Sequence, residues 1–174
     1  MAVAFANIFM SVVETEILNF SKTKPLEWER YIDDIFSLWR TERKEIDEFI
    51  ALANRHHPSI KVRGTQNKEI NFLDTTVYKV ERFHNQEILD TGTHFKRTET
   101  FQYMHFSSCN PHGVRKGLIK GEVFRLLRTN SSAKSFYENI YNFKKPLHAR
   151  GYPHNLIEKI TSAVKFTEWK SKEQ

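Results

Sequence analysis

Apolar residues Phe5, Ile8, Phe9, Val12 and Ile17 fall close to helical spacing and predict a helix over residues 2–18, buried against a sheet. A polar connection at 21–25 leads to two short apolar runs. The first holds Trp28, Tyr31 and Ile32, the second Ile35, Phe36, Leu38 and Trp39; together they predict a strand pair with Asp33-Asp34 as its turn. Thr41 is a candidate N-cap for a helix carrying Ile46, Phe49, Ile50 and Ala53, which ends before Pro58. Short strands are expected at 60–63, 70–80 and about 87–96, with 64–67 and His84-Asn85 as turn material.

After residue 96 the pattern turns helical. Residues 111–117 predict one short helix and 120–128 another, with Val123, Leu126 and Leu127 on one side and Arg125 and Arg128 on the other. Asn130-Ser131-Ser132 separates these from a helix in which Phe136, Ile140, Phe143 and Leu147 recur. Arg150-Gly151-Tyr152-Pro153 is a sharp turn, and a last helix runs through Leu156, Ile157, Ile160, Ala163 and Val164 toward Trp169. The expected architecture is α+β: a strand-bearing part over 1–95, then an all-helical part over 96–174. No internal repeat or low-complexity segment interrupts it.

Charge divides along the same line. Residues 1–90 carry 12 Lys/Arg against 15 Asp/Glu, a net of −3, and residues 91–174 carry 15 against 6, a net of +9. An acidic half with paired carboxylates beside a strongly basic half implies a metal site next to a polyanion track. The single cysteine, Cys109, excludes an internal disulfide framework and points to an intracellular protein, nuclear or cytoplasmic and not secreted. The apolar N-terminus lacks a basic flank and a small-residue cleavage site, so it is not read as a signal peptide. Nor is that run, which ends at Glu14, long enough to span a bilayer, and no membrane partner is expected.

The candidate chemistry centres on Tyr31-Ile32-Asp33-Asp34. Mg²⁺ keeps several waters and takes one or two carboxylates with phosphate oxygens, which suits adjacent aspartates at a hairpin tip. Asp is also common at turns for purely local reasons. His105, Cys109 and His112 have metal-ligand spacing, but a closed zinc site needs a fourth ligand, which only a distant residue such as His94 or His148 would supply; zinc is not expected. No Ser/His/Asp arrangement and no Gly-rich phosphate loop stands out. In the basic part, Lys96, Arg97, Arg115, Lys116, Lys120, Arg125, Arg128, Lys134, Lys144, Lys145 and Arg150 can meet phosphates. Phe101, Tyr103, Phe106 and Tyr137 are mixed among them, each a candidate for stacking or for the core.

Several segments in order carry a resemblance: Ala4-Phe5-Ala6-Asn7-Ile8-Phe9-Met10, Tyr31-Ile32-Asp33-Asp34, Ile70-Asn71-Phe72-Leu73-Asp74, His94-Phe95-Lys96-Arg97-Thr98, Tyr103 through Pro111, Arg125-Leu126-Leu127-Arg128 and Arg150-Gly151-Tyr152-Pro153. Over nearly its whole length the chain resembles the C-terminal palm and thumb of a Penelope-like retroelement reverse transcriptase. Its last stretch is similar to an animal helix-turn-helix domain. The resemblance implies a partial polymerase palm, then a thumb-like helical part that binds primer-template mainly by its backbone. It implies that Asp33 ligates Mg²⁺ with Asp34 beside it, that Tyr31 lies near the primer terminus or nucleotide, and that Phe72 and Leu73 lie near a primer-supporting hairpin. Arg97 and Lys120 stand where the family usually has proline. The family's other metal-binding aspartate lies upstream of the helix with which this chain begins, and a nuclease common in relatives lies downstream. The chain alone is therefore expected to be inactive, with exposed sheet edges open to association. Met1 would then mark an internal start, a truncated copy or a gene boundary. The alternative is a non-catalytic, helix-turn-helix-like nucleic-acid-binding module; a third reading is an inert product that folds poorly.

Overall fold

Residues 2–170 are described by the structure, a computed structural model, and divide between Phe72 and Leu73 into two units. The first unit contains α1 (Ala2–Phe20), β1 (Glu27–Tyr31), β2 (Asp34–Leu38), α2 (Arg43–His56) and β3 (Glu69–Phe72). Its core is small: Val13 and Ile17 of α1 meet Phe49 and Ala53 of α2, with Trp28, Trp39, Ile60 and Val62 packed around them. The Trp28 and Trp39 rings stand edge-on to Phe49, at 5.6 and 4.9 Å between centroids.

That core corrects the expected burial of α1. Among the described side chains of α1 only Val13 and Ile17 are buried, while Phe5 is 72% exposed and Ile8, Phe9 and Val12 are exposed too. The reason is coverage: α2 meets only the stripe that contains Val13 and Ile17. The helix expected over 2–18 runs Ala2–Phe20, and although the apolar run ending at Glu14 is too short to span a bilayer, residues Val3–Phe20 are, by length and composition only, long and apolar enough to cross one.

Two further expectations in this unit change. Residues 60–63 form no strand, because Val62 is paired by a side chain instead. The Asn54 amide accepts from Val62 N at 2.6 Å and donates to Val62 O at 2.9 Å, taking the place of a neighbouring strand. At the start of α2, Glu42 rather than Thr41 occupies the N-cap, and no side chain caps the helix.

The second unit holds β4 (Thr75–Tyr78), α3 (Glu81–Gln86), β5 (Asp90–Thr93), α4 (His112–Thr129), α5 (Ala133–Ala149), α6 (His154–Thr161) and α7 (Phe166–Lys170). Strands β4 and β5 are antiparallel, with Thr75 opposite Thr93 and Tyr78 opposite Asp90. The turn expected at His84-Asn85 is the short helix α3, closed by Glu87 in the left-handed region at φ 58°. The two helices expected at 111–117 and 120–128 are one, α4, continuous through Gly117 and Gly121. Each glycine costs about 1 kcal/mol relative to alanine. Fully buried Ile119, Val123, Leu126 and Leu127 on the opposite side outweigh that loss. The last expected helix is two, α6 and α7.

The helices enclose a core of Ile119, Val123, Leu126, Leu127, Phe136, Ile140, Phe143, Leu147, Tyr152, Ile157, Ile160 and Phe166. β5 belongs with them in the unit that begins at Leu73. Ser131 N donates to Thr91 O and Thr91 N donates to the Ser131 hydroxyl, both at 2.9 Å. Beside them the fully buried Asn130 amide donates to Leu126 O (2.6 Å) and Thr93 Oγ1 (2.7 Å), and accepts from Ser135 Oγ (2.6 Å). The segment between α4 and α5 thus joins a strand to two helices.

Candidate nucleic-acid interface

In the first unit, the β1–β2 ladder pairs Trp28 with Ser37, Arg30 with Ile35, and Tyr31 with Asp34. The turn therefore consists of Ile32 and Asp33, one residue earlier than expected, and Asp34 opens β2. Ile32 sits at φ 57°, a conformation costly for a β-branched residue. Tyr31, Ile32, Asp33 and Asp34 are all exposed, so both carboxylates face solvent at the hairpin tip.

Arg30 holds that tip in place, a role its position in a polar-alternating strand does not announce. Its Nη1 donates to Ile32 O and to Asn7 Oδ1, each at 3.1 Å, and its Nε lies 2.7 Å from Glu14 Oε1. One guanidinium thus ties the strained turn to two positions on α1. Near the end of this unit, Phe72 is half-buried against the Phe36 ring, 5.7 Å between centroids. Leu73, the first residue of the second unit, is an exposed turn residue with φ 54°.

In the second unit, α5 and α6 are joined by a four-residue turn, Arg150 to Pro153. Gly151 N donates to His148 O (3.0 Å) and Tyr152 N to Leu147 O (3.1 Å), the two bonds of a Schellman motif. Gly151 has φ 78°, which glycine adopts without cost. Tyr152 and Leu147 pack together in the core beneath it. A tight, glycine-containing turn between two packed helices is the helix-turn-helix arrangement.

The candidate cations separate into held and free groups. Arg125 is held: its guanidinium donates twice to Glu122 at 2.7 and 3.0 Å, lies 3.6 Å from Asp74 and covers the Phe95 ring. The Glu122 hydrogen bonds push its already high pKa further up. Arg115 donates to Ser108 O at 2.7 Å and lies over Phe106. Lys144 is held by Glu158, whose carboxyl it keeps below the usual carboxylate range. Lys96, Arg97, Lys116, Lys120 and Arg128 are exposed and form no ion pair among the described residues. The aromatics divide similarly: Tyr103 stands edge-on to Phe143 and Phe106 edge-on to Tyr152, whereas Tyr137 is half exposed.

Tyr103 yields a pH prediction. Burial, then the nearby Glu122 charge, pushes its phenol from 10.0 up to about 12. Below pH 10 the phenol is protonated whether the chain is folded or unfolded. Between pH 10 and about 12 the unfolded chain releases this proton first, so stability falls as pH rises through that window. Urea unfolding of wild type and Tyr103→Phe on both sides of pH 10 checks this; the variant is expected to lose part of the alkaline decline.

Among the described residues, no three His, Cys, Asp or Glu side chains gather closely enough to hold a metal ion. His105 Nδ1 bonds the Ser107 hydroxyl at 2.8 Å, and Cys109 is exposed. No curated protein and no solved structure matches the chain. Residues 102–162, from the segment before α4 through α6, match the animal helix-turn-helix domain family.

Proposed function

We propose that the chain is a nucleic-acid-binding part of a Penelope-like reverse transcriptase, with the second unit acting as a thumb that holds primer-template by its phosphates. The observation that carries this reading is the coincidence of the helix-turn-helix match at 102–162 with the basic stretch of net charge +9 over 91–174. Exposed Lys96, Arg97, Lys116, Lys120 and Arg128 supply charge for backbone contacts, which position a duplex without reading its bases.

The first unit supports the polymerase side of the reading through its hairpin. Asp33 and Asp34 are accessible and adjacent, the donor set one Mg²⁺ takes alongside nucleotide phosphates. Mg²⁺, when bound, supplies charge stabilisation for phosphoryl transfer. Tyr31, in the pair that closes the turn, presents an exposed ring to whatever occupies the tip. A two-metal site needs further carboxylates, and the described residues do not gather them. The chain alone is therefore expected to bind primer-template without extending it.

Fluorescence anisotropy with a labelled RNA–DNA hybrid, alongside a duplex DNA of unrelated sequence, tests the binding. Similar affinity for both is expected, and no binding to either refutes the reading. Asp33→Asn is expected to leave affinity within about twofold, since a hairpin aspartate contributes no attraction to phosphates. Primer extension is expected of neither protein; extension by the wild type overturns the expected inactivity, and extension that survives Asp33→Asn also refutes the metal-ligand assignment.

A further inference from the structure

We propose that the face of α4 bearing Lys116, Lys120, Phe124 and Arg128, rather than α6, lies against the sugar–phosphate backbone of the bound nucleic acid. This rests on the nucleic-acid-binding reading and assigns its contact surface.

Helix α4 contains five cations, and the structure divides them by face. Arg115 and Arg125 are occupied by Ser108 and Glu122, whereas Lys116, Lys120 and Arg128 are exposed and free of ion pairs among the described residues. At about 100° per residue the three free cations fall within roughly 120° of one another, with Phe124 among them. At about 1.5 Å per residue they form a row roughly 18 Å long. The sole acid of α4, Glu122, lies on the far side, so the face carries charge of one sign.

The same face holds Gly113, Gly117 and Gly121, where an added Cβ would meet nothing within 4 Å. The glycines leave room for a backbone beside the cations, and the Phe124 ring among them packs tilted against Trp169 of α7, 5.7 Å between centroids. By contrast, α6 offers a single exposed, unpaired cation, Lys159, and its Glu158 side chain is engaged by Lys144. Charge complementarity therefore selects α4. It also selects the occupant: a second copy meeting this row with the same face would set it against like charges, while a phosphate backbone neutralises it along its whole length. Laid along the sugar–phosphate backbone, the cations meet phosphates rather than base edges, so binding should be nearly independent of sequence.

The test compares two charge-matched triple variants of the full chain by duplex anisotropy. Lys116→Ala/Lys120→Ala/Arg128→Ala removes the row, and Lys134→Ala/Lys145→Ala/Lys159→Ala removes equal charge from α5 and α6. All six residues are exposed, and alanine favours helix, so both variants are expected to fold. The α4 triple should weaken binding roughly tenfold or more and lower the slope of log affinity against log salt by about 0.9 for each phosphate no longer neutralised. The second triple should weaken it much less. Equal weakening, or a larger effect in the second triple, overturns the α4 assignment while leaving the binding reading intact. Absence of binding by the wild type removes both. A change in molecular mass by light scattering on mutating the α4 row identifies a self-association face and also overturns the proposal.

Discussion

Asn130→Leu is expected to destabilise the second unit by about 3–5 kcal/mol. The residue is fully buried, yet its side chain serves Leu126 O, Thr93 Oγ1 and Ser135 Oγ within 2.7 Å, with a longer bond from Asn139 at 3.3 Å. Leucine has similar volume but leaves several of these groups without their partner in a dry site. Each stranded group costs about 1–3 kcal/mol, though relaxation recovers part. The position lies where β5 meets α4 and α5, so the effect should appear in one cooperative transition of strand and helices. Urea unfolding followed by circular dichroism measures it. A loss under about 1 kcal/mol would mean that this network is not what fastens the strand to the helices.

Phe136→Ala is expected to cost about 3–5 kcal/mol through a cavity in the same core. Phe136 is fully buried, with Phe166 and Tyr137 rings at 5.6 and 5.1 Å. Its removal also takes away the ring against which Phe166 of α7 packs, leaving that short helix the Phe124–Trp169 contact. Phe136→Leu, which refills much of the volume, should recover more than half the stability. Thermal unfolding of both variants provides the comparison. Equal destabilisation by alanine and leucine would point to ring geometry rather than volume as the cause.

The helical unit is the more legible part of the sequence because its apolar residues repeat at one period and meet one another. Phe136, Ile140, Phe143 and Leu147 appear in the core as their spacing implies. The turn at Arg150-Gly151-Tyr152-Pro153 is where its residues place it. Gly117 and Gly121 are misleading in α4, since local propensity cannot weigh the burial of Ile119 and Val123 on the opposite face. The strand part is less legible for a related reason. Asn54 substitutes for a strand partner, and Ile32 adopts a positive φ that its side chain disfavours, so neither the absent strand nor the earlier turn follows from propensity.

The charged residues show the same limit. Sequence places Arg125 and Arg128 on one helix face as equivalent cations, and only the positions of Glu122 and Asp74 separate a held guanidinium from a free one. Nothing in the sequence flags Arg30, because its partners, Asn7 and Glu14, lie on a different element. Asn130 reads as a separator between helices, and its polar network depends on a strand almost forty residues earlier.

The central claim is that the basic unit holds nucleic acid by its phosphates. The most direct measurement is the affinity of the full chain for a labelled RNA–DNA hybrid across salt concentrations. With three to five cations engaged, log affinity should fall linearly against log salt with a slope of about −2.5 to −4.5, losing roughly 30- to 500-fold between 50 and 200 mM. Binding that does not change over that range, or no binding at the lower salt, would contradict the account.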